Sequence, residues 1–184
     1  LKSAQGARIA AIAGDMACAE SIAALKDLMV SLGSANIDCR QDGAKLETTT
    51  RAAYLFNSTI AGIDQADAIL LVGTNPRWEA PVLNARIRKR YLTGKLKVGV
   101  VGPRLNLTYK HDYLGDTPQI LSSIADGSHA FAQTLKNAKN PMLILGQGAL
   151  IRADGASVLA LARRAAEQCG MIKDGWNGFN VLHT

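Results

Sequence analysis

The sequence predicts an α/β fold, a Rossmann-like parallel sheet with helices on both faces. Four short apolar runs, each ending at a glycine, predict strands: residues 9–13, 69–72, 98–101 and 142–145. The runs are apolar on both alternating faces, which is typical of parallel strands that are buried on both sides. Amphipathic segments lie between them, and these predict the crossover helices that a parallel sheet needs.

The predicted helices have apolar residues at three- and four-residue steps. In the first, residues 19–32, the stripe is Ile22, Leu25, Met29 and Leu32, and Gly33 follows as a stop. The second covers 79–92, and the third covers 154–169, with Asp154 as N-cap and Gly170 as stop. Shorter elements complete the prediction: helical turns at 119–125 and 130–137, a strand at 36–40 and a loop at 41–50.

The 184 residues, of which 48% are apolar, predict one α/β domain or a fragment of a larger subunit. A chain near 150 residues buries about 68–70% of its unfolded surface, so the core needs no disulfide or metal. Residues 68–87 and 141–160 repeat the order strand, glycine turn, helix, which indicates two copies of one unit. The first residue is not Met and no signal peptide follows, so we expect a piece of a longer protein.

Charge and cysteine content exclude several classes of function. The 21 Lys and Arg exceed the 15 Asp and Glu to give +6, but they do not form a basic tail. Cys18, Cys39 and Cys169 are too far apart in sequence to predict a disulfide scaffold, a zinc site or an iron–sulfur cluster. The histidines, likewise without partners at metal-ligand spacing, are His111, His129 and His183. We therefore predict no catalytic residue and no metal ligand.

Two glycine turns are the candidate ligand sites, because ligands of open α/β sheets bind at the carboxyl ends of strands. The turn Gly73-Thr74-Asn75-Pro76 leads into a helix whose free N–H groups could hold a phosphate. The turn Gly146-Gln147-Gly148 could let a pyrophosphate approach. Neither is a full GxGxxG motif, so tight turning is the favoured interpretation. The vestigial cofactor-binding candidates are Gly73, Asn75, Gly146 and Gly148.

A basic patch on the second predicted helix raises the question of nucleic-acid binding. It comprises Arg86, Arg88, Lys89 and Arg90, and Tyr91 is the aromatic residue beside it. One stacking side chain is little for a nucleic-acid site. A solvated helix face or a docking surface for another subunit is favoured.

Longer motifs carry a resemblance to a known family. The most specific is Ala66-Asp67-Ala68-Ile69-Leu70-Leu71-Val72-Gly73-Thr74-Asn75-Pro76-Arg77-Trp78-Glu79-Ala80-Pro81. Others are Leu46-Glu47-Thr48-Thr49-Thr50-Arg51, Leu83-Asn84-Ala85-Arg86-Ile87-Arg88-Lys89 and Asn106-Leu107-Thr108-Tyr109. The chain resembles the large iron–sulfur subunit of respiratory complex I, the NADH–quinone oxidoreductase. The C-terminal part of that subunit has a molybdopterin-oxidoreductase fold.

The resemblance implies a role in electron transfer from NADH toward quinone, as part of the peripheral arm of the complex. The iron–sulfur clusters of that family are held by cysteine groups in the N-terminal region of the subunit, and those groups are absent here. The intact complex is the enzyme, and this segment is expected to be a scaffold without a cofactor. Its implied partners are the N-terminal part of its own chain and other peripheral-arm subunits, with the membrane contacted only through the complex. The implied location is the cytoplasmic face of the bacterial inner membrane or the matrix side in mitochondria.

The same fold in formate dehydrogenases and nitrate reductases carries a molybdenum pterin cofactor, and this sequence differs at three of the implied contacts. The stretch Asn36-Ile37-Asp38-Cys39 is similar to the lead-in to the metal-ligand loop, but glycine stands near the ligand position, at Gly43. Ala80 replaces a histidine, and Gly102-Pro103-Arg104 replaces an Asp-Pro-Arg.

Two alternatives stay open. One is a nucleotide-binding module that retains a purine-nucleotide or molybdopterin-guanine site at the two glycine turns. The other, which we disfavour, is an active molybdenum oxidoreductase with Asp42 or Cys39 as metal ligand.

Overall fold

The computed structural model describes residues 3–14, 17–39 and 43–183. The chain divides into two compact units, Leu1–Gly43 and Ala44–Thr184. The division falls within the polar segment 41–50 that the sequence predicts as a loop. The prediction of a single α/β domain, or of a fragment of a larger subunit, stays a prediction.

The smaller unit contains a short parallel pair of strands joined by a helix. Strand β1 (Ala11–Ile12) pairs with β2 (Ile37–Asp38), and α1 (Ala19–Ser31) lies between them in sequence. The expectation that residues 9–13 join the other three runs in one sheet is wrong, since β1 and β2 form a sheet of their own. Ile12 is 70% exposed, so this run is not buried on both faces.

The larger unit contains the remaining elements, separated by short connections. Its strands are β3 (Ala68–Val72), β4 (Lys97–Val101), β5 (Asp112–Gly115), β6 (Pro141–Gly146), β7 (Ile172–Lys173), β8 (Trp176–Asn177) and β9 (Phe179–Leu182). Its helices are α2 (Thr59–Gly62), α3 (Pro76–Glu79), α4 (Pro81–Leu92), α5 (Gln119–Asp126), α6 (Ala130–Asn137), α7 (Gln147–Leu150) and α8 (Gly155–Gln168). Short 3₁₀ turns occur at Gly6–Arg8, in the smaller unit, and at Arg51–Ala53 and Ile63–Gln65. No helix in the described ranges is long and apolar enough to cross a membrane.

In the part of the chain that is described, five parallel strands form the main sheet in the order β5-β4-β3-β6-β9. The register of β3 on β6 pairs Leu70 with Leu143 and Leu71 with Ile144. Every residue of β3 and of β6 is buried. The α/β fold with a parallel sheet, predicted from continuous apolar runs, is confirmed.

Helices cover both faces of this sheet. On one face Leu70 and Leu143 pack in a cluster with buried residues of α5, α6 and α8, such as Leu121. On the other face Leu71 and Ile144 pack with residues of α4, such as Ile87. Successive strand residues therefore enter opposite cores, as the strand period of two requires.

The structure also corrects several predicted boundaries. The predicted helix over 79–92 is two helices, α3 and α4, separated at Ala80. Pro81 starts the second helix, because proline has no N–H to donate and suits a first turn. Asp154 stands at the N-cap position of α8 but makes no capping hydrogen bond, since its carboxylate pairs with Arg152 at 2.7 Å.

Strands β5 and β9 were not predicted, for two different reasons. The edge strand β5 is only half-buried and begins with Asp112, so no apolar run marks it. In β9 the second residue is Asn180, which is fully buried and interrupts the apolar pattern. Its Nδ2 donates to the carbonyl oxygens of Leu143 and Gly178, and its Oδ1 accepts from the N–H and the hydroxyl of Ser58.

We predict that Leu143→Ala lowers the free energy of unfolding by about 2–5 kcal/mol, because the removed methyl groups leave a cavity at the centre of the sheet. Leu143 is 0% exposed. The matched control is Ile151→Ala, at a side chain that is 50% exposed. Urea unfolding followed by circular dichroism measures both, and equal losses would contradict the assignment of Leu143 to the core.

Candidate functional site

The order in which the chain adds strands to the main sheet reverses between β3 and β6. From β3 the chain continues outward to β4 and β5, and it then returns to β6 on the other side of β3. In open α/β sheets, ligands bind outside the carboxyl ends of the strands at such a point. The candidate site is therefore formed by the turns that follow β3 and β6.

These two turns are the glycine turns of the sequence, and they touch each other. A Cβ atom built on Gly146 would lie 2.5 Å from the Cβ of Thr74 and 2.7 Å from the carbonyl oxygen of Gly73. A Cβ on Gly148 would lie 3.0 Å from the same Gly73 oxygen. The structure thus brings the four vestigial candidates to one place. The close approach of the two backbones accounts for glycine at 146 without any ligand.

A carboxylate of the chain itself occupies the start of α3. Glu79 Oε2 accepts a hydrogen bond from the hydroxyl of Thr74 at 2.5 Å, and its Oε1 accepts from the N–H of Asn75 at 2.8 Å. The next residue, Pro76, has no N–H. A phosphate at this turn would compete with Glu79 for the N–H of Asn75 and would be repelled by its negative charge.

Sequence reasoning missed the role of Glu79. A capping box places the acidic residue three positions after the Ser or Thr. Here the acidic residue follows Thr74 by five positions and Asn75 by four. The spacing therefore gave no recognisable signal.

One atom at this turn has no hydrogen-bond partner. Asn75 Oδ1 is buried and unpaired among the described residues. An amide oxygen is an acceptor, so it favours a neighbouring donor and not a phosphate oxygen. This atom gives no support to an anion site at the turn.

A cavity of about 340 Å³ opens at the carboxyl ends of β3 and β4, lined in part by Gly73, Gly102 and Gly148. Its charged lining residues are Asp116 and Arg152. Arg152 forms a bidentate interaction with Asp154: its Nε donates to Oδ1 at 2.7 Å and its Nη2 donates to Oδ2 at 2.9 Å. The guanidinium holds the pKa of the Asp154 carboxyl below its usual range. The positive charge in the cavity lining is therefore already paired.

The turn after β4 contains Gly102-Pro103-Arg104, where the resemblance implies that related enzymes have Asp-Pro-Arg. The guanidinium carbon of Arg104 lies 4.2 Å from the ring centroid of Tyr113, on β5. This is a cation–π contact. The arginine of the motif is thus engaged with a neighbouring strand.

The histidines and cysteines do not assemble a metal site. Within the described ranges, no three His, Cys, Asp or Glu residues lie where they could hold a metal ion. His129 Nδ1 accepts from the N–H of Phe131 and caps α6, while His183 Nε2 lies 2.6 Å from the carbonyl oxygen of Tyr54. Burial raises the pKa of the Cys169 thiol. Asp42, one of the two ligands considered for molybdenum, falls outside the described residues.

The basic patch on α4 is divided between structural and free charges. Arg86 pairs with Asp64 at 2.7 Å, and Arg90 Nε donates to the carbonyl oxygen of Ala66 at 2.6 Å. Arg88 and Lys89 are exposed and have no ion pair with any described residue. Arg86 and Arg90 thus attach the helix to the segment that precedes β3, whereas Arg88 and Lys89 face solvent.

The aromatic residue beside the patch is not a free stacking surface. The Tyr91 ring stacks on the ring of Tyr109, with centroids 5.6 Å apart. Tyr109 is buried, its hydroxyl donates to Asn84 Oδ1, and burial raises its pKa. The patch therefore lacks the aromatic platform that nucleic-acid stacking needs.

Comparison with known proteins agrees with this fold. The sequence model of the molybdopterin oxidoreductase family matches residues 1–184. The chain belongs to the molybdopterin oxidoreductase family.

Individual relatives show which members of this family the chain is similar to. The chain is 45% identical over 174 residues to the mitochondrial NADH dehydrogenase [ubiquinone] iron-sulfur protein 1 of Solanum tuberosum, covering 95% of this chain and 24% of the relative. It is 43% and 44% identical over 183 residues to the G subunits of the NADH-quinone oxidoreductases of Rickettsia prowazekii and Rickettsia conorii, covering 100% of this chain and 27% of each relative. The resemblance found in the motifs is confirmed. The chain spans about a quarter of the length of these relatives.

We predict that Glu79→Gln lowers the free energy of unfolding by about 1–2 kcal/mol, because two hydrogen bonds to a charged acceptor are weakened. The control is Glu167→Gln, which removes an exposed ion pair with Arg163. Such pairs contribute about 0.3–0.5 kcal/mol. Urea unfolding at pH 7 measures both variants. Equal and small losses would show that Glu79 does not hold the turn.

Proposed function

We propose that this chain is a folded part of the large iron–sulfur subunit of an NADH–quinone oxidoreductase, in the peripheral arm that transfers electrons from NADH toward quinone. The observation that carries the proposal is 43–45% identity to subunits of such oxidoreductases across 95–100% of the chain. In this proposal its partners are the rest of its own subunit and other subunits of the complex. Its place is peripheral, on the cytoplasmic face of the bacterial inner membrane or the matrix side in mitochondria.

Within that complex, the chain acts as a scaffold and holds no redox cofactor. Three features of the candidate site support this proposal. Glu79 takes the N–H that a phosphate would need, the turns after β3 and β6 pack against each other, and Arg104 is engaged with Tyr113. The residues at this site do not fit a molybdopterin cofactor. The iron–sulfur clusters of the subunit belong, in this proposal, to its N-terminal part.

A nucleotide-binding module is the second candidate, and the cavity at the carboxyl ends of β3 and β4 favours it. Its volume of about 340 Å³ lies within the range of about 300–1,000 Å³ that is common for small-molecule pockets. The paired state of Arg152 and the position of Glu79 oppose it.

The assembly of the full-length subunit tests the leading proposal. A tag on the full-length protein is expected to purify a particle that oxidises NADH and reduces quinone. Leu143→Ala is expected to lower the yield of that particle and leave the turnover per particle unchanged, because a scaffold affects assembly and not chemistry. A tagged protein that purifies without NADH-oxidising activity would refute the proposal, and a loss of turnover per particle would refute the scaffold role.

Elemental analysis and calorimetry test the absence of a cofactor. The purified chain is expected to contain neither molybdenum nor iron in stoichiometric amount. It is expected to bind GTP, GDP and NADH no more tightly than about 1 mM, a binding free energy of about −4 kcal/mol. Micromolar binding of a nucleotide would establish the second candidate, and stoichiometric molybdenum would overturn the scaffold without a cofactor.

A further inference from the structure

An apolar groove lies at the carboxyl end of β9, beside the turn that follows β6, since its lining residue Leu182 pairs with Gly146. Its volume is about 450 Å³, and its lining is largely apolar, including Leu55, Ile60, Pro81, Val82 and Leu182. These residues come from the segment before α2, from α2, from the start of α4 and from β9. The lining belongs wholly to the larger unit.

The rim of this groove exposes large apolar side chains. Val82 is 80% exposed, Ile60 is 53% exposed and Leu55 is 36% exposed. Trp78, on α3 just before the groove-lining Ala80, is 76% exposed. Contiguous apolar exposure of this kind marks interaction sites on protein surfaces.

The net charge of the chain is concentrated on the helix that borders the groove and on the few residues that follow it. Residues 80–97, which include α4 and the start of β4, hold six Lys and Arg and no Asp or Glu. The rest of the chain holds fifteen basic and fifteen acidic residues, so this segment carries the whole net charge of +6. The segment that borders the groove is therefore strongly basic.

Two of the basic side chains on α4 itself are free to meet a partner. Arg88 and Lys89 are exposed and have no ion pair with a described residue, whereas Arg86 is held by Asp64. Val82 and Lys89 are seven residues apart on α4, which places them on the same side of the helix about 10 Å apart along its axis. A segment seated in the groove would meet this charge two turns further along.

We propose that the groove is the docking site of an amphipathic segment of a partner protein, with apolar side chains in the groove and Asp or Glu against Arg88 and Lys89. This proposal rests on the proposed scaffold function and names the chemistry of its partner. A second copy of the chain is a poor occupant, because it would bring a second basic helix to the same surface. A flat lipid surface would leave a concave groove unfilled, and the stacked Tyr91 offers no platform for nucleic acid.

Photocrosslinking in the full-length protein tests the proposal. A benzophenone amino acid replaces Val82 in one variant and Leu92 in the matched control, which is 63% exposed at the other end of the same helix. The crosslinked segment is identified by mass spectrometry after purification of the assembled complex. We expect position 82, and not position 92, to give one adduct with a segment that combines apolar residues and carboxylates. The pair of changes Arg88→Glu and Lys89→Glu is expected to lower its yield by about three- to fivefold.

The absence of an adduct at position 82 would overturn the proposal. So would an adduct with a second copy, with lipid or with nucleic acid, and so would an adduct with a segment that has no carboxylates. An unchanged yield in the Arg88→Glu, Lys89→Glu variant would remove the charge argument. If the adduct has the expected chemistry but comes from a protein outside the oxidoreductase, the docking site stands and the proposed function fails. Unchanged urea unfolding of each variant confirms that the fold is kept.

Discussion

The pairing of β3 with β6 is the constraint on which the larger unit depends. Both strands are buried along their whole length, and helices close the sheet from both sides. Parallel pairing in this register also sets the turns that follow the two strands against each other. Gly146 has no room for a side chain beside Thr74. The pairing that builds the core thus also brings together the two turns at the crevice where ligands of this class of sheet bind.

Hydrogen bonds and a cation–π contact engage the polar groups of the candidate site. The Glu79 carboxylate takes the hydrogen bonds of Thr74 and Asn75, and Arg104 lies against Tyr113. The N–H of Asn75 and the guanidinium of Arg104 could attract a nucleotide, but both are engaged with other groups of the chain. Internal pairing of this kind stabilises the fold, because a buried polar group without a partner costs free energy. Among the described residues, Asn75 Oδ1 is the exception at this turn. The family relationship and the pairing of the site residues therefore support the same proposal.

The basic residues that produce the net charge are concentrated in one segment of the chain. Dispersed basic residues correctly excluded a polybasic tail, but residues 80–97 alone account for the whole +6. In the structure, part of that charge anchors α4 through Asp64 and Ala66. The remainder is Arg88, Lys89, Lys95 and Lys97, which are exposed. Of these, Arg88 and Lys89 lie on the helix whose start borders an apolar groove. The juxtaposition makes this face a surface for association.

The sequence by itself determined the α/β class, three strands of the main sheet, its principal helices and the family, because continuous apolar runs and long motifs are local signals. It also determined which glycines would form the turns after β3 and β6. Only the tertiary structure decided that the first strand pairs in a separate sheet, that Asn180 belongs inside a strand, and that Glu79 caps the turn at the candidate site. These outcomes depend on partners distant in sequence or at unusual spacing, and such partners become neighbours only when the chain is folded.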